Sequence, residues 1–486
     1  MELDATACRE ALVARDARFD GVFLVGVATT GIYCRPVCPA RTPRADRCSY
    51  FALAAQAEAA GFRPCLRCRP EVAPGTAAAP VDARAQLVAD AIAAIDRGAL
   101  VDASLDDLAT ELGVTARHLR RVVVDALGVT PSQLDRTRRL AVAKQLLHDS
   151  RAPLVDVALA AGFGSVRRWN AAFREQFATT PSSFRRRAVD EGADAALTVR
   201  LDARPPFAGR ALLAFLAGRA LTGVEQVDGD RYRRTWGAGW LEVRVQDDVA
   251  RPGVRLTVAA ALAPQLLSLV ARTRALFDLD AEPVAIAAHL GRDRLLAAAV
   301  AAAPGRRVPG AFEPFEVAVR TVLGQQVSVA AASTLAGRLA ARFGRAVVTP
   351  FAGLTHVAPT AAALAAATVD ELAAIGLPRT RAATVRALAT AVVDGHLRFA
   401  RHRDPAPTMA ALVAIPGIGP WTASYLAMRA LGWPDAFPAG DLVLQRQLGV
   451  TTARAADAAT AAWRPWRAYA AMHLWASASA DAARGG

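Results

Sequence analysis

Two periods of apolar residues divide this chain. From about residue 84 to 187 apolar positions recur every three to four residues, the repeat of amphipathic helices. Ser104 precedes the run Leu105, Leu108, Ala109 and Leu112, and Gly113 then interrupts it. Thr115 precedes a second run that carries Arg117, His118, Arg120 and Arg121. A hydroxyl ahead of an apolar stripe reads as a helix N-cap and the glycine as a turn, so a helix-turn-helix is predicted. A second follows. Val155, Ala158 and Leu159 build its first helix and Gly162 makes the turn. Ser165 caps a helix with Arg167, Arg168 and Asn170 outward and Trp169 and Phe173 inward.

From about 195 the period shortens to two. Leu197–Leu201 and Leu241–Val245 alternate, Arg255–Val258 is a third strand candidate, and a helix is expected at Arg210–Ala220. From 312 onward the pattern is almost wholly helical, with alanine-rich stretches such as Thr360–Thr368 read as helix surface. Residues 74–80, rich in proline, glycine and alanine, read as a linker. The expected fold is multidomain, mainly α with α+β parts. It comprises a small four-cysteine zinc domain at 1–75, a helical domain with two helix-turn-helix units at 84–188, an α+β domain at 195–305 and an all-α domain at 306–480.

Composition narrows the partner. The chain has 486 residues, room for three or four domains, and a net charge of +14 with a pI near 10.6, which favours a polyanion. Lys144 is the only lysine. The chain has six cysteines, too few for a disulfide framework at this length, which suggests a reducing compartment. No signal peptide opens the sequence and its apolar runs are short or interrupted by charge, so a cytoplasmic location without membrane contact is expected.

Four cysteines form two close pairs, Cys34 with Cys38 (C-x3-C) and Cys65 with Cys68 (C-x2-C). Two such pairs suit tetrahedral zinc, which holds sulfur as thiolate. A thiolate is nucleophilic, so the site is either a structural staple or an alkyl acceptor. Cys8 and Cys48 lie outside the pattern and read as reduced, partly buried thiols. The words around the pairs, Thr29-Thr30-Gly31-Ile32-Tyr33-Cys34-Arg35-Pro36 and Ala60-Gly61-Phe62-Arg63-Pro64-Cys65, resemble the N-terminal domain of the Ada family of alkylation-response proteins over residues 20–72. That resemblance implies one zinc held by Cys34, Cys38, Cys65 and Cys68, with Cys34 accepting a methyl group from a DNA methylphosphotriester. The family's further acceptor motif, Pro-Cys-His-Arg, is absent, so methyl transfer from alkylguanine is not expected.

The second helical pair, from Val157 to Ser165 and on to Thr180-Pro181-Ser182-Ser183-Phe184-Arg185, resembles the AraC-type DNA-binding domain over roughly 100 residues. The resemblance implies recognition helices in the major groove. Arg117, Arg120, Arg121, Arg167, Arg168 and Asn170 are the candidates, each for either a base or a phosphate contact.

Near the C-terminus, Ile415-Pro416-Gly417-Ile418-Gly419-Pro420-Trp421-Thr422 has the glycines of a tight interhelical hairpin able to hold a phosphate. Asp441 follows 22 residues after Gly419; a lone Asp after Gly also reads as a helix N-cap. Hairpin and aspartate together resemble the helix-hairpin-helix glycosylase superfamily. More narrowly, residues 195–480 resemble AlkA-type 3-methyladenine glycosylases, through Pro205-Pro206-Phe207, Phe215–Ala220, Leu323–Val329 and Trp463-Arg464-Pro465-Trp466-Arg467. The resemblance implies that Asp441 is the catalytic carboxylate. It implies that Gly417, Gly419 and Thr422 meet the DNA backbone and that Gln326 fills the gap left by a flipped nucleotide. Trp421, Tyr425, Trp475 and Phe215 become candidate pocket walls, since electron-rich rings attract a cationic alkylpurine. For Trp475 the other reading is interior packing.

The sequence departs from that family at two positions. Gly440 stands where the best-known relative has a second acid, and Gln326 where it has leucine. Trp421 replaces the lysine of bifunctional relatives, which implies a monofunctional enzyme, and the four-cysteine iron–sulfur motif of some relatives is absent. Zinc is thus the only cofactor expected, with no iron–sulfur cluster and no organic group. The combined expectation is a bacterial, nucleoid-associated fusion that senses alkylated double-stranded DNA, activates transcription with RNA polymerase and removes alkylated bases. The alternatives are a pure regulator on an inactive glycosylase scaffold, and a glycosylase whose zinc is only structural.

Overall fold

The structure, a computed structural model, describes residues 5–484 except 17–18, 21, 52–53, 69, 71–79, 189–196 and 400–404. The expected linker therefore lies outside the described residues up to position 79. The chain forms two compact units, residues 1–92 with 105–131, and residues 93–104 with 132–486.

In the first unit, strands Leu24–Val27, Ile32–Cys34, Cys48–Phe51 and Arg63–Pro64 make one small sheet. Leu24–Val27 pairs antiparallel with both Ile32–Cys34 and Cys48–Phe51, which sets Val25 opposite Cys34. Arg63–Pro64 pairs in parallel with Ile32–Cys34 and so brings the second cysteine pair beside the first. A Cβ on Gly26 would meet the rings of Phe51 and Phe62 at 2.8 and 2.9 Å, so only glycine admits that packing. The same unit holds helices Leu105–Glu111 and Ala116–Leu127. Thr115 caps the second as expected, accepting from the His118 N–H at 3.3 Å, and Leu108, Ala109, Leu119, Val122 and Val123 close the core between them.

In the second unit, helices Leu154–Ala160 and Val166–Phe177 form the other pair, with Ser165 accepting from the Arg168 N–H at 3.2 Å. Trp169 and Phe173 are fully buried, edge to face at 6.0 Å. Within the expected first helix Val155 and Leu159 are 54 and 40 % exposed, whereas Val157, Ala158 and Ala160 are buried. That inner face packs against the turn Ala260–Gln265 of the α+β domain. A single apolar core runs from Leu140 and Trp169 through Leu197, Leu256 and Phe277. The backbone N–H of Arg200 donates to Asp149 at 3.1 Å and its carbonyl accepts from Gln145, which ties the two halves further.

The α+β domain holds a five-stranded antiparallel sheet, its strands in the order Leu197–Asp202, Gly253–Val258, Gly239–Gln246, Arg231–Trp236 and Glu225–Asp228. The last two strands were not expected. Arginines at 231, 233 and 234 break the apolar alternation, and Arg234 nonetheless points inward, 1 % exposed. The bidentate carboxylate of Glu316, at 2.9 and 2.8 Å, neutralises it. Beyond 312 the regular elements among the described residues are helical apart from the two-residue pairing of Arg345–Ala346 with His356–Val357. These helices close one apolar core around Val322, Leu388 and Leu426 and, with helix Pro283–Leu290, a second around Leu290, Leu444 and Leu474.

Candidate active site and metal centre

The sulfurs of Cys34, Cys38, Cys65 and Cys68 all lie within 4.8 Å of one another. An ideal tetrahedron with metal–sulfur bonds near 2.3 Å has edges of about 3.8 Å, so the four thiols fit a zinc ion. The backbone N–H of Arg35 donates to the Cys68 sulfur at 3.4 Å, and the Arg35 guanidinium is anchored on Asp20 at 2.8 Å. Hydrogen bonding with Cys68, burial and the charge of neighbouring sulfurs push the Cys34 thiol well up, while Cys68, hydrogen-bonded by Cys34, is drawn down to about 5. Sulfurs this crowded cannot all ionise unaided, and a divalent cation relieves that repulsion. Cys38, Cys65 and Cys68 are buried; Cys34 alone of the four remains partly exposed.

The glycosylase-like site is built from three elements. Gly419 opens helix Pro420–Arg429 without a side-chain cap, which leaves its first N–H groups free for an anion. Gly417 has φ +90°, and a Cβ there would meet Thr384 Oγ1 at 2.2 Å, so the hairpin requires glycine on both grounds. Thr384 in turn donates to the Pro416 carbonyl at 2.8 Å, and Gln325 donates to the Gly417 carbonyl at 2.9 Å and to Thr422 Oγ1 at 3.3 Å. Thr422 itself is buried, so its contacts are internal. Gln326 is exposed with φ +56°, a left-handed backbone costing about 1–3 kcal/mol in a non-glycine residue and concentrated at functional sites.

Asp441 caps helix Leu442–Leu448: its Oδ1 accepts from the N–H groups of Val443 and Leu444, each at 3.0 Å. The same carboxylate lies between two indoles. Trp475 Nε1 donates to Oδ1 at 3.1 Å and Trp421 Nε1 to Oδ2 at 3.2 Å. Trp421 stacks on Tyr425, ring centroids 5.4 Å apart and 8° from parallel, and Tyr425 meets Trp475 at 6.3 Å. Phe215, from the α+β domain, packs against the same apolar core as Tyr425 and Trp475. The structure thus brings Asp441, Trp421, Tyr425 and Trp475 together, with Phe215 on the same apolar core, and Trp475 both packs on that core and holds Asp441.

Arg117, Arg120, Arg121, Arg167 and Arg168 are exposed on their helices. Asn170 is half-buried and donates one amide N–H back to the Val166 carbonyl at 3.0 Å. Residues that support the site went unassigned in the sequence. Arg467 forks onto Asp435 at 2.8 and 3.0 Å, both side chains buried, and the Ala468 N–H donates to the Pro434 carbonyl at 2.9 Å. These contacts hold the loop that leads to Asp441. The Trp-Arg-Pro-Trp-Arg word containing Arg467 was the available signal.

A four-cysteine metal cluster, helix-turn-helix pairs and a helix-hairpin-helix domain with an indole-held aspartate define a DNA-binding repair regulator. Known families agree segment by segment: the metal binding domain of Ada matches residues 7–71 and a helix-turn-helix domain matches 108–187. The AlkA N-terminal domain matches 198–313, and the HhH-GPD superfamily base excision DNA repair protein family matches 319–463. A probable bifunctional transcriptional activator/DNA repair enzyme AlkA of Mycobacterium tuberculosis is 41% identical over 484 residues, 98% of this chain and 97% of that one. The chain belongs to this family of bifunctional transcriptional activator/DNA repair enzymes. DNA-3-methyladenine glycosylase 2 of Escherichia coli is 37% identical, covering 57% of this chain and 95% of its own. The bifunctional transcriptional activator/DNA repair enzyme Ada of Escherichia coli is also 37% identical, over 27% of this chain and 36% of its own. No helix among the described residues is long and apolar enough to cross a membrane.

Proposed function

We propose that this chain excises alkylated bases from double-stranded DNA as a monofunctional glycosylase, and that it records phosphate alkylation by accepting methyl groups on Cys34. The carboxylate of Asp441, held by two indole N–H groups beside an aromatic pocket, carries the first half of the reading. The hairpin at 416–419 grips the backbone and Gln326 fills the space of the extruded nucleotide. As the C1′–N bond breaks, its electron pair leaves with the base and positive charge develops on the sugar. Asp441 stabilises that charge and orients water, whose oxygen bonds to C1′ while its proton passes to the carboxylate or solvent. Trp421 offers no amine, so the product is an abasic site in an uncut strand.

The partial exposure of Cys34 beside three buried partners supports the second half. Its sulfur bonds to the methyl carbon of a phosphotriester, the carbon–oxygen bond breaks, and the electron pair stays on the phosphate as a diester. Zinc, when bound by these four sulfurs, keeps them deprotonated. Methylation converts one thiolate to a thioether and removes one negative charge, which reduces repulsion from operator phosphates and favours activation of transcription with RNA polymerase.

Incubation of the zinc-loaded chain with methylated duplex DNA, scoring released bases and the Cys34 peptide together, tests both halves. Released 3-methyladenine and a methylated Cys34 peptide are expected. Absence of released bases removes the glycosylase half, and an unmethylated peptide removes the acceptor half.

A further inference from the structure

The loop between helices Pro314–Leu323 and Val329–Phe343 carries Gln326 at φ +56°, a left-handed backbone that a non-glycine residue keeps only where its surroundings impose it. The Gln326 side chain is exposed, so its own packing does not impose that geometry. Three neighbours do. Ser328 closes the far end, accepting from the Ala331 N–H at 3.2 Å as the cap of the following helix. Arg381 donates to the Gln325 carbonyl at 2.5 Å and so holds the peptide that enters Gln326. Gln325 reaches across 92 residues of sequence: its amide donates to the Gly417 carbonyl at 2.9 Å and to Thr422 Oγ1 at 3.3 Å.

These anchors belong to one frame. Arg381 and Thr384 lie about one turn apart on helix Arg379–Val393. The first holds the Gln326 loop, and the second donates to the Pro416 carbonyl of the hairpin at 2.8 Å. Thr422 is buried at the start of helix Pro420–Arg429, next to Trp421, whose indole donates to Asp441 at 3.2 Å. One set of hydrogen bonds therefore ties the loop of Gln326 to the hairpin and to the helix whose Trp421 holds the Asp441 carboxylate.

We propose that Gln325 and Arg381 are positioning residues that hold Gln326 in its left-handed conformation, in fixed register with the hairpin, so that its side chain enters the base stack as the damaged nucleotide leaves. The proposal rests on the glycosylase reading above. Extrusion costs the stacking and pairing of one nucleotide. A side chain already placed for insertion offsets that cost without first having to be ordered. With either anchor lost, Gln326 relaxes towards the negative φ that side chains favour, and its amide leaves the line of insertion. Support from two packed helices keeps the loop in step with the element that grips the backbone.

The test uses the full zinc-loaded chain and single-turnover release of 3-methyladenine from a methylated duplex. Gln325→Met and Arg381→Met should each slow release about tenfold, the loss of one or two hydrogen bonds at the step of extrusion. Arg381→Lys, which keeps a donor, should recover part of the rate. Combination with Gln326→Ala separates positioning from a merely structural role. If the anchors act through Gln326, adding either substitution to Gln326→Ala should slow release by less than about twofold more. A second readout needs no turnover. In duplex DNA, 2-aminopurine beside a stable abasic analogue should brighten less on binding either methionine variant than on binding the unmodified chain, because the neighbouring base stays stacked. Unchanged release rates or equal brightening in folded variants, or losses that multiply with Gln326→Ala, overturn the inference and leave the glycosylase reading intact. If a methionine variant does not fold, the isosteric Gln325→Glu, which sets a carboxylate oxygen against the Gly417 carbonyl, carries the same expectations. No release by the unmodified chain overturns the glycosylase reading and this inference with it.

Discussion

The indole N–H of Trp475 donates to Oδ1 of Asp441 at 3.1 Å across 34 residues of sequence. With Trp421 on the other oxygen, it fixes the plane of the carboxylate. Trp475→Phe keeps most of the ring packing and removes the donor. Excision should slow about tenfold, the typical cost of one hydrogen bond to a charged group, with little change in melting temperature. Single-turnover rates at saturating enzyme check this, and an unchanged rate would leave Trp475 as packing only.

Asp441 caps a helix, and the catalytic role proposed for it can be separated from the cap by two substitutions. Asparagine is an equally good N-cap, so Asp441→Asn should retain stability while excision falls about 100-fold or more. Asp441→Ala should lose the same activity and about 1 kcal/mol of stability in addition, because the Val443 and Leu444 N–H groups lose their acceptor. Denaturant titrations beside excision assays distinguish them. Equal stability of the two variants would dismiss the capping role, and wild-type excision by Asp441→Asn the catalytic one.

Metal binding should depend on all four cysteines. Cys65→Ala leaves three sulfurs and an open position, and zinc per chain should drop from one towards zero after dialysis against a mild chelator. Elemental analysis is the measurement; full occupancy in the variant would refute the ligand set.

Asp435 is buried against Arg467 at 2.8 Å beneath the loop that carries Asp441. Asp435→Ala removes two of the three charge-assisted bonds of a buried guanidinium, the third going to Asp457 at 2.6 Å, and should destabilise the helical domain by about 2 kcal/mol. Excision should fall with it even at temperatures where the chain remains folded, because the loop that leads to Asp441 loses its anchor. A melting temperature within a degree of wild type would count against this account.

His473 is 3 % exposed, and burial, helped by the charge of Arg306, lowers it to about 4 despite a hydrogen bond with the Ala299 backbone. The folded chain therefore keeps it neutral, whereas the unfolded chain protonates it near 6.5. Its contribution is fully present above 6.5 and is lost as the pH falls from 6.5 through 4, about 3 kcal/mol in all. Unfolding midpoints at pH 7.5, 6 and 5 should decline more steeply for wild type than for His473→Gln, and parallel declines would contradict the assignment.

What the sequence determined by itself was local. Thr115 and Ser165 cap the helices that follow them because a cap needs only a hydroxyl within three residues of an N–H. The cysteine pairs fold onto one point because their spacings are short and strand Arg63–Pro64 pairs beside Ile32–Cys34. The hairpin glycines were legible because Gly417 takes a φ that other residues resist. Tertiary structure decided what depends on distant segments. Strand Arg231–Trp236 was hidden because Arg234 counts as polar until Glu316, 82 residues away, neutralises it. Val155 and Leu159 face outward because the α+β domain supplies the surface on which Val157, Ala158 and Ala160 pack. Trp475 comes beside Asp441 only where helices Pro420–Arg429 and Arg467–Arg484 meet around Tyr425. Periodicity identifies a buried face, but the group that a buried charge or indole N–H will meet is chosen by packing between elements whose separation no local pattern encodes.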